Sequence, residues 1–551
     1  MSGRRGRLAV PMSMNANENI PDEVGGAPAW SFFGWVWRLG LVLAVSAVAG
    51  WLMAVKLELG EMPGLVIAAS IFGVGVFSML KLRGSPRELG FTFGLKVLSV
   101  TAYKVLNFTL VSWLVQDLGF DDKTALLVIM LWGFFMTLST IAAGGITDAL
   151  GLRRTLLIGV TLCVCTRLIM VFCPVKAVAL ACGLLPLAIG EALCTPVLVA
   201  ALRKYAAPSQ RSVAFSVFYA LMNLGFTMGY FLSDGVNELM KSGRAPALFV
   251  DLGPYRTLLL ASMAMEALMF PLVFLIRPGV EMTSAGLVET DQPRRYENLK
   301  FFDKIHATIG DAIRDMGNTF GNLVRSDGFM KLIIFLLMIG LLKVVFNVMD
   351  YVLPPFSMRE LGEQSKVGRL NSVNGLLILV LAPLVGVWTR KCASYSMVIL
   401  GGFITAASFV FMALPPAMFQ SWADGWLGRG VVGAYLDIAG AVHPYYVMIF
   451  LWQIGFSVGE AFYSPRVYEY AASIAPRGQE ASYASLSYVP LLIGKLVTGG
   501  LFAGLLAKCC PATGPRNSPM MWTIVGLMVL IAPLVLLLLK RFIRVDEGER
   551  E

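Results

Sequence analysis

The sequence predicts an all-α membrane protein in which two related six-helix bundles follow an N-terminal pair of helices. Of its 551 residues, 57% are hydrophobic and only 15% are charged, whereas about a quarter of a soluble domain is charged. Apolar segments of about 20 residues, the length that crosses a bilayer, recur throughout the chain. In addition, one short pattern occurs twice, beginning at Gly190 and at Gly459.

The apolar segments predict fourteen membrane spans. The first segment starts about thirty residues into the chain, lacks a small-residue cleavage site and is followed by further spans, so it is not expected to be a signal peptide. The predicted bounds are 35–54, 64–82, 95–116, 126–146, 156–172, 175–201, 213–232, 258–276, 332–353, 370–388, 397–414, 446–462, 485–506 and 521–539.

A long polar segment at 277–327 divides the last twelve spans into six and six. Within it, apolar residues from Phe302 to Leu323 recur at steps of three and four, which predicts an amphipathic helix on the membrane surface. The predicted domains are a disordered cytoplasmic tail (1–30), an accessory hairpin (31–90), an N-terminal bundle (91–277), a cytoplasmic linker (278–328), a C-terminal bundle (329–541) and a cytoplasmic tail (542–551).

The repeated pattern supports this division. "GEALCTPVLVAALRKYAAP" at 190–208 and "GEAFYSPRVYEYAASIAP" at 459–476 both give Gly-Glu-Ala, two variable residues, a hydroxyl residue and Pro, each in the fourth span of its half. The first span of each half also carries Lys-Val, at Lys104 and at Lys343. Two parallel six-helix repeats with a site at their interface are typical of alternating-access transporters.

The distribution of charge predicts the topology. Basic residues follow the second span and recur on one side of the membrane if the spans alternate, whereas the loop at 116–123 on the other side carries Asp117, Asp121 and Asp122. The positive-inside rule then places both termini in the cytoplasm of a multi-pass protein of the cell (inner) membrane.

Four motifs resemble a known transporter family. "GGITDALGLRRT" at 144–155 fits the G-x-x-x-D-x-x-G-x-[RK]-[RK] signature of the major facilitator superfamily. Three stretches resemble the fifth, eighth and tenth helices of its proton-dependent oligopeptide (POT/PTR) branch: "FYALMNLG" at 218–225, "LNSVNGLLILVLAPLVGVW" at 370–388 and "EYAASIAP" at 469–476. The resemblance implies the major facilitator fold and secondary active transport of a small polar solute.

The first core helix departs from that family's pattern. Where the family has E-x-x-E-R, this chain has Val100, Tyr103 and Lys104. The family's fourth-helix Lys is Thr195 here, and only the tenth-helix acid, Glu469, matches outright. The resemblance therefore implies a transporter but leaves open whether peptides bind.

Charged side chains inside a bilayer usually face a cavity or a partner. The candidates for binding substrate or proton are Lys104, Tyr103, Glu191, Asn347, Asp350, Glu469 and Lys495. The candidates for gating are Gly144, Asp148, Gly151, Arg153, Arg154, Glu460 and Arg466. Lys495 could pair with Glu469 or Glu460 and hold one half closed. Structural alternatives stay open: Glu191 and Glu460 bond to neighbouring helices, Arg466 pairs locally with Glu469, and Lys495 is an isolated lysine that reaches toward the membrane surface.

No enzyme is expected, because the sequence contains no catalytic constellation, no Walker A motif and no metal-ligand spacing. We expect proton-coupled symport of a peptide-like or organic-anion substrate, with membrane lipid as a partner and without nucleic acid or cofactor. Two alternatives remain: an exporter or uniporter of a non-peptide solute or lipid, and a non-transporting membrane sensor or scaffold on the same fold.

Overall fold

The computed structural model describes a largely helical molecule. The described residues are 32–52, 54, 61–207, 210–283, 286–289, 307, 310, 314, 329–362, 365–389, 392–438, 440–473 and 501–540. The disordered tail predicted at 1–30 and the cytoplasmic tail predicted at 542–551 lie outside them, as does most of the predicted amphipathic helix.

The N-terminal part consists of a helical hairpin and a bundle. The hairpin is α1 (Phe32–Trp51) and α2 (Glu61–Lys81). The bundle contains α3 (Arg87–Ser112), α4 (Asp122–Leu150), α5 (Leu152–Phe172), α6 (Lys176–Val178), α7 (Leu185–Tyr205), α8 (Arg211–Lys241), α9 (Ala247–Ala267) and α10 (Met269–Leu275), with π-helical turns at Trp113–Asp117 and Ala179–Leu184.

A short antiparallel hairpin follows the first bundle. Its strands are β1 (Val280–Thr283) and β2 (Gly286–Glu289), and Val280 pairs with Glu289. The sequence pattern predicts no strand in this linker. Val280 is fully buried against the bundle, so the beginning of the linker packs onto the protein.

The C-terminal bundle begins at Phe329. Its helices are α11 (Phe329–Asn347), α12 (Leu353–Leu361), α13 (Val367–Trp388), α14 (Ser394–Ser408), α15 (Val410–Ala413), α16 (Gln420–Asp424), α17 (Ala434–Leu436), α18 (Pro444–Ser473), α19 (Ala503–Cys509) and α20 (Ser518–Leu538). Two π-helical segments, Val348–Val352 and Trp426–Gly433, and a 3₁₀ turn, Pro416–Phe419, join them.

The helices agree with the predicted spans. Among the described residues, 11 helices are long and apolar enough to cross a membrane. Two shorter apolar helices, Val42–Trp51 and Val367–Ala382, lie at the first and tenth predicted spans. The span predicted at 485–506 falls mostly outside the described residues, so the multi-pass helical architecture is confirmed and the number fourteen stays a prediction.

Close helix packing explains why each copy of the repeated Gly-Glu-Ala pattern begins with glycine. A Cβ atom at Gly190 would lie 3.3 Å from the carbonyl oxygen of Gly159, so α7 and α5 are in backbone contact. A Cβ atom at Gly459 would lie 2.7 Å from the carbonyl oxygen of Gly401, so α18 and α14 are too. Small residues at helix contacts permit this approach in membrane proteins. Each half therefore repeats the same contact between its third and fourth helices.

Among the described residues, the main contacts between the two halves involve four pairs of elements. The first core helix, α3, lies against the π-helical segment Val348–Val352 and α12; α8 lies against α13; and α4 lies against α19. We call the end of the molecule that carries residues 118–121 the acidic end, and the end that carries Arg153 and Arg154 the basic end. These two names describe only the ends of the helices.

The glycine contact can be tested by adding one methyl group. We expect Gly459→Ala to lower the apparent Tm of the detergent-purified protein, because overpacking costs about 1–3 kcal/mol and exceeds the gain in helix propensity of about 1 kcal/mol. Gly504→Ala is the matched control, because a Cβ atom there meets nothing within 4 Å. Thermal unfolding curves that coincide for the two variants would contradict the packing argument.

Candidate functional site

A buried ion pair joins the two halves at the centre of the molecule. Lys104 lies on α3 and Asp350 on the π-helical segment after α11. The Lys104 Nζ atom lies 2.9 Å from each carboxylate oxygen of Asp350. The two residues are only 5% and 6% exposed. Separation of the halves at this point therefore requires that the pair be broken.

A tyrosine of the N-terminal half completes this site. Lys104 donates to the Tyr230 hydroxyl over 3.2 Å, and that hydroxyl donates to Oδ1 of Asp350 over 2.9 Å. The ammonium group also lies 4.6 Å from the ring centroid of Phe226. Gly229 makes room for the lysine stem, since a Cβ atom there would lie 2.8 Å from Lys104 Cβ. We call Lys104, Tyr230 and Asp350 the central triad.

The sequence next to Asp350 explains the local backbone. Pro354 and Pro355 follow it, and a proline cannot donate to the carbonyl four residues earlier. The carbonyl groups of Asp350 and Tyr351 thus lose their α-helical donors, and the chain forms a π-helical segment at Val348–Val352. Such segments occur frequently at functional sites.

A second contact between the halves lies beside the central triad. The Tyr351 hydroxyl donates to Oδ1 of Asn107, whose amide group donates to the backbone oxygen of Tyr103 over 2.8 Å. The predicted residues Lys104, Tyr103 and Asp350 are thus brought together. Asn347 is half-buried directly before the π-helical segment.

Ion pairs between the halves also lie at the acidic end. The Arg369 guanidinium, on α13, lies 2.7 Å from Glu238 of α8, and the Arg369 backbone amide donates to Asp234 over 2.6 Å. Lys366 lies 3.0 Å from Glu238, and Arg359 of α12 lies 2.6 Å from Asp122 of α4. The halves are therefore closed against each other at this end.

Glu460 makes a different set of contacts near the middle of α18. Its Oε2 atom accepts from the Asn374 amide over 2.8 Å, and its Oε1 atom accepts from the Tyr219 hydroxyl over 3.4 Å. Tyr219 belongs to the N-terminal half, so this acid also bridges the halves. Lys343 lies nearby on α11 and donates to Ser464 over 3.2 Å.

Glu191 lies away from the central triad. Its carboxylate is 2.5 Å from the guanidinium of Arg167, within the N-terminal half. The repeated acids therefore differ: Glu191 has a cationic partner in its own half, whereas Glu460 has neutral partners in both halves.

The remaining predicted residues are only partly described. The side chains of Gly144, Asp148, Arg466 and Glu469 and the whole of Lys495 lie outside the described part. The other signature residues lie at the turn between α4 and α5. Gly151 adopts φ 81° between the two helices, the Arg153 guanidinium lies 5.8 Å from the ring centroid of Phe274, and Arg154 is exposed.

Several residues of these bridges are absent from the sequence-based candidates. Asp234 and Arg369 fall just outside the predicted spans 213–232 and 370–388. In the structure α8 continues to Lys241 and thereby reaches α13. The sequence does show an acid just after one predicted span and a base directly before another. It does not show that these two span ends lie against each other, because that depends on how the helices pack.

Comparison with known families decides the classification. The sequence model that describes the Major Facilitator Superfamily matches residues 92–436, well over half of the chain. The chain belongs to the Major Facilitator Superfamily. Members of this superfamily are transporters, so the prediction that this facilitator is not an enzyme is confirmed. No curated protein matches the chain by sequence.

Solved structures show the same fold. A POT family transporter in complex with 5-aminolevulinic acid is 17% identical, with a TM-score of 0.61 over 84% of this facilitator and 97% of that chain. Another, in complex with a thioalcohol conjugated peptide, is 17% identical, with a TM-score of 0.62 over the same shares. A third structure, from work on substrate recognition in proton dependent oligopeptide transporters, is 16% identical, with a TM-score of 0.60 over 83% and 98%. The predicted facilitator fold with a POT-like architecture is confirmed.

The energetic linkage within the central triad can be measured with a double-mutant cycle. We expect Lys104→Met and Asp350→Asn each to lower the apparent Tm, because removal of one partner of a buried pair costs about 3–5 kcal/mol. The double variant should recover a large part of that loss, since it leaves no buried charge unpaired.

Asp424→Asn is the control for this cycle. Asp424 lies 3.6 Å from Arg429 in a pair whose side chains are 45% and 61% exposed. Exposed pairs contribute about 0–1 kcal/mol, so this variant should unfold close to wild type. Strictly additive losses in the double variant would show that Lys104 and Asp350 are not coupled.

Proposed function

We propose that this facilitator is a proton-coupled symporter of small polar organic solutes that carry a carboxylate, of the peptide-like or organic-anion class. The observation that supports this most directly is the central triad, in which a titratable acid and a base bridge the two halves. The moving bodies are the two bundles, residues 91–277 and 329–541.

The proposed orientation places the acidic end outside the cell. Arg153, Arg154, Arg203 and Lys204 lie at the basic end, which the positive-inside rule places in the cytoplasm together with both termini. The location is the cell (inner) membrane. With that orientation, the structure is the state in which the halves are closed toward the outside.

Proton binding at Asp350 is the proposed coupling step. When the acidic end opens, the carboxylate of Asp350 becomes accessible and takes up a proton, which removes its charge. Lys104 then lacks its partner, and a buried unpaired ammonium group is costly. A carboxylate of the solute restores the balance by binding to Lys104, so proton and solute are taken up together.

Release reverses these steps at the basic end. Loss of the proton from Asp350 restores its charge, and the carboxylate of Asp350 competes with the solute for Lys104. The Tyr230 hydroxyl donates a hydrogen bond to the carboxylate of Asp350 in this re-formed arrangement. The re-formed pair closes the acidic end. In this proposal Glu469 and Lys495 provide a second acid and base on the C-terminal half, and Glu460 contributes to gating through Tyr219.

The proposed substrate class rests on charge and on structural likeness. Lys104 is the one cation of the central triad, and a carboxylate is its natural ligand. Two similar structures contain 5-aminolevulinic acid and a thioalcohol conjugated peptide. The departures from E-x-x-E-R at Val100 and Tyr103 support a broader solute class than peptides.

Uptake into proteoliposomes tests the coupling. With dialanine and 5-aminolevulinic acid as the probes, we expect an inward proton gradient to accelerate uptake by the wild-type protein. The Asp350→Asn variant cannot take up the proposed coupling proton. We therefore expect its gradient-driven uptake to be about tenfold or more slower than that of wild type, which corresponds to a rise of about 1.4 kcal/mol or more in the activation free energy. The variant should retain solute exchange without a gradient, since exchange requires no net proton movement.

Asp437→Asn is the matched control, because Asp437 is exposed and sits in a left-handed turn that asparagine adopts readily. If the rate of uptake by the wild-type protein is the same with and without the proton gradient, symport is refuted and a uniporter or exporter is supported. Binding of the probes without flux would support a sensor.

A further inference from the structure

A second group of buried charges lies inside the N-terminal half. Arg167 of α5, Glu191 of α7 and Glu266 of α9 are 0%, 2% and 0% exposed. All three lie within membrane-spanning helices. Of the three, only Glu191 is a candidate from the sequence. We call these three residues the intrabundle cluster.

The guanidinium group of Arg167 is the centre of this cluster. Its Nη2 atom lies 2.5 Å from Oε1 of Glu191, and its Nη1 atom lies 3.8 Å from Oε2 of Glu266. Its Nε atom donates to the Ser262 hydroxyl over 3.0 Å. Glu191 is therefore the direct partner of Arg167, while Glu266 lies beyond hydrogen-bonding distance.

The charges in this cluster do not balance. Arginine stays protonated in proteins, so one positive charge faces two carboxyl groups. Within the described part of the chain, neither Glu191 nor Glu266 forms an ion pair with any other base. In the same part, Oε2 of Glu191 and Oε2 of Glu266 are buried without a hydrogen-bond donor. A net negative charge at this depth costs several kcal/mol, and one bound proton removes it.

The cluster is not a requirement of the fold. The glycine contacts at Gly159 and Gly401 are equivalent in the two halves. Eight residues after Gly159 the chain has Arg167, and eight residues after Gly401 it has Phe409. Phe409 packs against the rings of Trp452 and Trp522, at centroid distances of 5.4 and 6.3 Å. The C-terminal half thus fills the same level with aromatic rings.

The groups around Glu266 favour a proton over a metal ion. Cys163 and Cys194 lie close enough that their sulfur atoms and a Glu266 oxygen are within 4.8 Å of one another, and Cys194 donates to Glu266 over 3.9 Å. Such a set could bind a thiophilic cation. However, the Arg167 guanidinium lies beside the same carboxyl group and repels a cation, whereas a proton on Glu266 leaves this arrangement intact.

The cluster is connected to the helix that carries Lys104. The Ser262 hydroxyl accepts from Arg167 and donates to the backbone oxygen of Ala102 on α3, over 2.8 Å. Ala102 lies two residues before Lys104 on the same helix. The hydrogen bonds of Ser262 therefore link the Arg167 guanidinium group directly to the helix that carries Lys104.

We propose that Arg167, Glu191 and Glu266 form a second proton-binding site, which holds one proton on Glu266 and is separate from the central triad. The titratable groups that face it are Cys163 on α5, Cys194 on α7 and Tyr103 on α3. Its use during transport rests on the proposed function, but its occupancy by a proton does not.

Infrared spectroscopy of the full-length protein in lipid nanodiscs tests this site at neutral pH. A protonated carboxylic acid gives a C=O band that shifts in D₂O, and we expect Glu266→Gln to lose one such band from the wild-type spectrum. The apparent Tm of this variant should stay near that of wild type, because glutamine replaces a neutral group of the same shape. Asp251→Asn, an exposed acid on the same helix, should leave the band unchanged.

A second variant tests the charge argument. Glu191→Gln leaves one carboxyl group facing Arg167, so Glu266 should ionise and the same band should disappear. The proposal is overturned if the wild-type protein shows no such band or if the band persists in Glu266→Gln. It is also overturned if Glu266→Gln fails to fold, or if the purified protein contains zinc that Glu266→Gln lacks. These measurements need no transported solute, so a failure of the symport proposal is distinguishable from a failure of this one.

Discussion

The structure depends on the high cost of an unpaired charge in lipid. Lys104 and Asp350 are buried at the centre of the molecule, and each neutralises the other from the opposite half. Neither half could bury its own member of this pair alone without a large penalty. The bridge is thus an electrostatic lock between two bundles, and any process that changes the charge of one member changes how firmly the halves are joined.

The bridges between the halves are spread over helices that are distant in sequence. Arg369 and Glu238 connect α13 with α8, and Arg359 and Asp122 connect α12 with α4, both at the acidic end. Both pairs hold the halves together at the end where they are closed. Their attraction therefore adds to that between Lys104 and Asp350 in the central triad. Opening at this end must break several charged contacts together, which favours a two-state change over a gradual one.

The repeated Gly-Glu-Ala pattern combines a shared structural element with divergent chemistry. In both halves the glycine permits backbone contact between the third and fourth helices. The adjacent acids have separate surroundings: Glu191 faces Arg167, while Glu460 faces Asn374 and Tyr219. A repeat of sequence therefore preserves the packing contact, and the neighbouring helices decide what each acid does.

The sequence by itself determined the membrane class, nearly all of the spans, the division into two halves and the family, because hydropathy and short motifs are local properties. It also identified Lys104 and Asp350 as charges in need of partners. Only the tertiary structure decided that they pair with each other, that Tyr230 bonds to both of them and that Arg167 faces two buried carboxyl groups. Those contacts join residues up to 246 positions apart, and their distances depend on how the helices are arranged against one another, which no local pattern encodes.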